Sequence, residues 1–245
     1  MWRSLGLALT FLTVFPFPRG LQATAAELAA AMAWFPLVGA LLGGLVWGLA
    51  VVLQPLVTPL VASGLLLTAL TLSTRGLHLD GLADTLDGLG GGRTVEASLR
   101  IMKDSAVGAF GVQGLVLILL LKFALLAHVA GVGNLPLLLV FPVAGRWAMV
   151  LLAFLSIYAR REGGLGEAMT LGVSPRHLAL ATLLTAVLVG AAGRLAGLIA
   201  LAVVGLVAWG ASRWFRNRLG GITGDVLGAV NEVSEVLALL VTAIV

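Results

Sequence analysis

The sequence predicts an all-α fold: a polytopic bundle of about seven membrane-spanning helices, forming one domain over residues 1–245. Three observations carry this expectation. Hydrophobic residues make up 60% of the chain and charged residues only 11%, more apolar surface than a single water-soluble core of this size can hide. Several apolar runs reach the roughly 18–20 residues that cross a ~30 Å hydrocarbon layer as a helix. The 32 glycines are frequent within those runs, as helix packing in lipid allows. Cysteine is absent, which excludes a disulfide framework, a thiolate metal site and a cysteine nucleophile. The formal charge of +4 is small and does not imply a nucleic-acid partner.

The first expected element is an interfacial N-terminal segment over residues 1–31. Arg3 precedes an apolar stretch that extends only to Phe17, meets Pro16 and Pro18, and lacks the small-residue cleavage site of a signal peptide. Spans follow near residues 32–53, 56–73, 107–131, 135–157, 178–193, 195–212 and 228–245. Turns are marked by Pro55, by Gly131 to Pro136 and by Gly193 to Gly197. The fifth and sixth spans, short and parted by Arg194, also suit a re-entrant pair.

Threading these spans alternately puts Arg3, Arg19, Arg75, Arg93, Arg100, Lys103, Arg160, Arg161, Arg176, Arg213, Arg216 and Arg218 on one face, with Arg194 opposite and Lys122 and Arg146 inside spans. The positive-inside tendency makes the basic face cytoplasmic, with the N-terminus inside and the C-terminus outside. Every aspartate of the chain falls on the same face or at its boundary.

Those aspartates begin the chemistry. A motif loop is expected over residues 74–106, and within it Asp80, Asp84 and Asp87 are spaced i, i+4 and i+7, one face of a helix. Their neighbours are Leu, Ala and Gly rather than the Lys and Glu of a solvated helix. Like charges so placed call for a cation, and without cysteine the candidate is an oxygen-liganded divalent ion such as Mg²⁺. Gly90, Gly91 and Gly92 then suit the approach of backbone amides to an anion, and Arg93 can grip phosphate oxygens; a flexible hinge is the plainer reading of the glycines. Lys103, Asp104 and Ser105 follow at the entry to the third span.

A second acidic motif is expected over residues 213–235, where Asp225, Glu232 and Glu235 share a helical face at i, i+7 and i+10. Glu232 and Glu235 lie within the last apolar run, so each needs a cation, a buried partner or a water-filled cavity. Arg146 could serve these acids or a substrate phosphate, and Lys122 could neutralise a carboxylate or snorkel. His78 is open to three roles: metal ligand, base or interfacial hydrogen-bonding residue. No nucleophile elbow, Walker loop or two-histidine zinc motif is present.

In their order along the chain, HLDGLADTLDGLGGGR, IMKDSAVGAFG and GITGDVLGAVNEVSE resemble the cobalamin synthase family, adenosylcobinamide-GDP ribazoletransferase, and the likeness extends back to FLTVFPFP. Arg75-Gly76 departs from the glycine pair often found before Leu-His in that family. The resemblance implies an inner-membrane, Mg²⁺-dependent enzyme that joins adenosylcobinamide-GDP to α-ribazole or its 5′-phosphate and releases GMP. It implies Asp80, Asp84, Asp87, Asp225, Glu232 and Glu235 as metal ligands, and Arg93, Arg146, Ser105 and Gly90 to Gly92 as substrate contacts. Asp104, His78 and Lys103 are then the catalytic candidates. A CDP-alcohol phosphotransferase fits less well, because Asp80 precedes Gly81 directly and Arg93 comes late. A cation-coupled transporter lacks support in duplicated halves, and the charges are one-sided.

Overall fold

The structure, a computed structural model, describes residues 2–15, 23–160 and 165–245. The expectations placed on Pro16, Phe17, Pro18, Arg19 and Arg161 lie outside the described residues. Helices account for nearly all of the ordered backbone: α1 (Trp2–Leu12), α2 (Ala25–Met32), α3 (Phe35–Leu53), α4 (Pro59–Thr74), α5 (Leu77–Gly91), α6 (Val95–Ile101), α7 (Ala109–Val132), α8 (Val140–Leu155), α9 (Leu165–Leu171), α10 (Pro175–Leu219) and α11 (Gly224–Ile244). A 3₁₀ turn over Leu135–Leu139 leads into α8.

Local sequence fixes where these helices start. Thr24 and Ser174 build capping boxes with Glu27 and His177, while Thr58, Thr94 and Thr223 each accept a hydrogen bond from an amide of the first turn. Pro59 and Pro175 occupy first-turn positions, where the missing N–H costs nothing. The region expected as a loop over 74–106 is therefore mostly helix, α5 and α6.

The bundle is built around α8, which is buried along nearly its whole length and packs on α3, α10 and α11. By contrast, α7 turns Val112, Val116, Leu117 and Leu120 outward, and the second half of α10 exposes Leu206, Trp209 and Trp214. A belt of large apolar side chains on the outside is stable when the surrounding solvent is lipid. The chain is an integral membrane protein by this measure.

Two ends of the bundle can be told apart. At one, Gly133 meets Gln54 after α3, Gly131 meets Pro59 of α4, and Gly193 meets Leu137 and Val140. At the other, α5, α6, the start of α7, the end of α8 and the start of α11 converge. Among the described residues, length and composition qualify five helices as spans, or six when α4 and α5 are taken together, against the seven expected.

The difference has two sources. The 16 residues of α4 fall short of a full crossing. In addition, α10 reads as one 45-residue helix, although the backbone reverses at Arg194 (φ 48°, ψ −129°) and Gly197 packs directly on the Val189 backbone. The turn expected at Gly193 to Gly197 is thus present as a sharp helical hairpin.

The corner between α4 and α5 is bent by 86°, so α5 lies across the end of the bundle instead of continuing the span. Two consecutive left-handed residues make it, Arg75 (φ 54°) and Gly76 (φ 65°). A glycine pair would adopt this shape without strain. Arg75 offsets some of that strain by donating from Nη2 to the Thr13 carbonyl at 3.3 Å, which pins α1 to the corner.

Four buried charges join three helices. Lys122 Nζ of α7 lies 2.6 Å from Glu232 and 2.5 Å from Glu235 of α11, and Arg146 of α8 is ion-paired with Glu235. Asn231 donates to both glutamates at 3.3 Å. Two cations and two anions cancel, which is what burial at this depth demands. Lys122→Met should leave two carboxylates facing one guanidinium and destabilise the detergent-solubilised protein by about 3–5 kcal/mol. In thermal unfolding, adding Glu232→Gln should restore at least half of the loss; no restoration would show that the two side chains do not act as a pair.

Candidate active site

The site forms where α5 crosses the first turn of α11. Gly81 faces the Asp225 backbone and Gly228 faces the His78 backbone so closely that a Cβ on Gly81 would collide with the Asp225 carbonyl. Backbone-to-backbone contact of this kind is available only where side chains are absent. It brings Asp80 and Asp84 of α5 beside Asp225, although more than a hundred residues separate the two motifs.

A second connection aligns Asp225. The segment leaving α8 pairs with the segment entering α11: Ile222 N–H donates to the Ile157 carbonyl and Ala159 N–H to the Ile222 carbonyl, both at 2.9 Å. This places the guanidinium of Arg160 against Asp225, with Nη2 2.6 Å from Oδ2. Thr223 Oγ1 donates to the same oxygen at 3.3 Å. Arg160 also reaches the Met102 carbonyl at 3.4 Å, so one residue spans α6, α8 and α11. Burial raises the neighbouring Tyr158 hydroxyl above its usual range, which keeps it a neutral phenol.

The three aspartates leave an excess of negative charge that Arg160 only partly offsets. Burial, followed by the charges of Asp80 and Asp225, raises the Asp84 carboxyl to about 6. Among the described residues, no group of three or more His, Asp and Glu side chains stands ready to hold a metal ion. The donor chemistry of Asp80, Asp84 and Asp225 nevertheless fits a hard divalent cation, because all three are oxygen donors whose charges lie close enough to act on one another.

Beside them is a cleft of about 170 Å³, whose polar lining is His78, Asp80 and Asp225. Whole drug-sized ligands are enclosed by sites of roughly 300–1,000 Å³. This cleft can take only the reacting portion of a large substrate. Its apolar wall combines Leu77 of α5 and Leu227 of α11 with Phe11 of α1, Met149 of α8 and Met169 of α9.

Several residues expected to act together are used differently. Asp87 accepts hydrogen bonds from Gly108 N–H at 2.7 Å and Gly111 N–H at 2.9 Å, one on each oxygen, and so caps the N-terminus of α7 as a structural carboxylate. Glu232 and Glu235 have Lys122 and Arg146 as their cations, which corrects their expected place among the metal ligands. Arg146 is 1% exposed and held by Glu235, so its fork is not available to a substrate phosphate.

The glycine run is corrected as well. Gly90 and Gly91 continue α5, and Gly92 N–H donates to the Gly88 carbonyl. Their amides are spent within the helix, while their missing side chains admit Phe110, Ile101 and Ser98. Arg93, Lys103, Asp104 and Ser105 are exposed at this same end, with Asp104 accepting from the Ala106 amide at 3.0 Å. Arg160 and Thr223 are the site residues that sequence reasoning missed. Arg160 was legible only as one basic residue among many at the exit of a span.

Comparison with known proteins identifies the family. Residues 4–243 match the family described as Cobalamin-5-phosphate synthase. The adenosylcobinamide-GDP ribazoletransferase of Syntrophobacter fumaroxidans is 46% identical over 247 residues, covering 99% of this chain and 99% of the relative. That of Desulforamulus reducens is 43% identical, covering 96% and 94%, and that of Geotalea daltonii 42%, covering 98% and 96%. No solved structure matches. The match runs through both acidic motifs and the helices that bring them together, and the chain belongs to the cobalamin-5-phosphate synthase family.

Proposed function

We propose that the protein is the transferase that completes the cobalamin nucleotide loop. It moves the adenosylcobinamide-phosphate part of adenosylcobinamide-GDP to the hydroxyl of α-ribazole or its 5′-phosphate and releases GMP. The observation that carries this reading is the convergence of Asp80, Asp84 and Asp225 at a helix crossing in a chain whose relatives, over almost their full length, bear that activity's name.

The reaction forms one P–O bond to the ribazole hydroxyl and breaks the P–O bond to GMP, while the hydroxyl proton leaves to a base. Asp80, Asp84 and Asp225 would hold Mg²⁺, which supplies charge neutralisation for the diphosphate. Arg160 would serve two partners in turn: released from Asp225, its planar fork suits a phosphate oxygen pair. Arg93 and Lys103 add positive charge on the exposed side. Asp104 is the proton acceptor in this scheme, since it is an exposed carboxylate at the same end whose orientation is set by the Ala106 amide. The small cleft takes the diphosphate region, and the corrinoid lies outside it against the apolar rim.

The protein sits in the cell inner membrane in this reading, with the site end cytoplasmic and the C-terminus outside. The basic residues support it: Arg75, Arg93, Arg100, Lys103 and Arg160 lie at the site end, and Arg194 lies at the other.

Turnover is measured as GMP release from adenosylcobinamide-GDP by detergent-solubilised protein over a range of Mg²⁺. Asp84→Asn should lower it by about 10²-fold, the scale of losing one preorganised charge in a polar site, while Glu96→Gln on α6 stays near normal. A well-folded Asp84→Asn enzyme of ordinary activity at limiting Mg²⁺ would falsify the metal assignment. For orientation, a cysteine replacing Glu96 should resist an impermeant thiol reagent outside intact cells and react after lysis. Labelling from outside would reverse the proposed topology.

A further inference from the structure

His78 lies 98% out of solvent contact by its 2% exposure, yet one of its ring nitrogens has no partner. Its Nδ1 faces Arg146 Nη2 at 3.3 Å. A guanidinium only donates, so Nδ1 must be the acceptor in that pair. Arg146 cannot swing away, because Glu235 holds its other terminal nitrogen and Glu235 is itself held by Lys122. The neutral ring therefore carries its proton on Nε2. That N–H is buried and unsatisfied, a condition that native interiors rarely leave standing. His78 also lines the same cleft as Asp80 and Asp225, and no bond from Nε2 to either carboxylate forms.

We infer that His78 is a fixed hydrogen-bond donor to a phosphate oxygen of the diphosphate substrate, with Arg146 as the positioning residue that locks its tautomer. This rests on the proposed reaction. It also removes His78 from the candidates for base: an Nε2 that already bears hydrogen has no lone pair for the ribazole proton, and Nδ1 is turned into the buried ion cluster. The acceptor comes from the ligand, because neither carboxylate lining the cleft pairs with Nε2.

The chain has three histidines, so ring-¹⁵N spectra of the solubilised protein can be assigned with His128→Gln and His177→Gln. The expected free state is a neutral ring with hydrogen on Nε2. Adding GDP with Mg²⁺ should shift the Nε2 signal as its N–H gains an acceptor and leave Nδ1 unprotonated. In turnover, His78→Gln, which keeps an N–H near the same position, should remain within about threefold of the native kcat/KM. His78→Phe should lose about 10- to 100-fold, the scale of one hydrogen bond to a charged group.

An Nδ1–H tautomer, an Nε2 signal indifferent to GDP, or equal losses in the Gln and Phe variants would overturn the assignment. If His78→Phe fails to fold, the spectra of the unsubstituted protein decide alone. Absence of GMP release by the native protein would overturn the reaction instead, and the response of the ring to GDP would still decide the donor.

Discussion

Everything at the site end hangs on charge cancellation inside the bundle. Lys122, Arg146, Glu232 and Glu235 sit where water is excluded, and any three of them without the fourth would carry a net charge. The set therefore fixes the rotation of α7, α8 and α11 about their own axes, since turning one helix would break an ion pair that nothing else replaces. Apolar packing between lipid-exposed helices gives no such register, because lipid tails compete on equal terms with leucine. With α11 fixed, Gly228 and Asp225 are presented to α5 in one orientation only.

Much of the fold was legible before the coordinates. Apolar run lengths locate α3, α7, α8 and α11, and the breakers Pro55 and Gly193 mark turns that the chain makes. The motif region over 74–106 read as a loop because its glycines and aspartates disfavour an isolated helix; tertiary packing on α11 and α7 overrides that tendency. The crossing number is harder to read from run length, because α4 is short and α10 hides a reversal at Arg194.

The site was legible by type of residue and less so by partnership. Asp80, Asp84 and Asp225 were grouped from spacing and resemblance, and the crossing of α5 with α11 brings them near enough for their charges to act on one another. Spacing on a helical face also joined Asp87, Glu232 and Glu235 to them, although one face of a long helix passes through several environments. Asp87 reaches the amides of α7, and the two glutamates lie deeper among cations. Arg160 could not be paired with Asp225 from sequence, since the pairing depends on a short backbone bridge between Tyr158 and Ile222 that carries no periodic signal.

The shortness of α4 has a bearing on the bilayer as well as on the helix count. Its 16 residues rise about 24 Å, several ångströms less than the hydrocarbon layer. A span this short is accommodated by local thinning of the bilayer or by flanking side chains such as Arg75 reaching to the interface, and either response brings polar surroundings closer to the bundle core at that corner. The corner at Arg75 is thereby a place where the polar end of the bundle reaches deeper than it does beside the full-length spans.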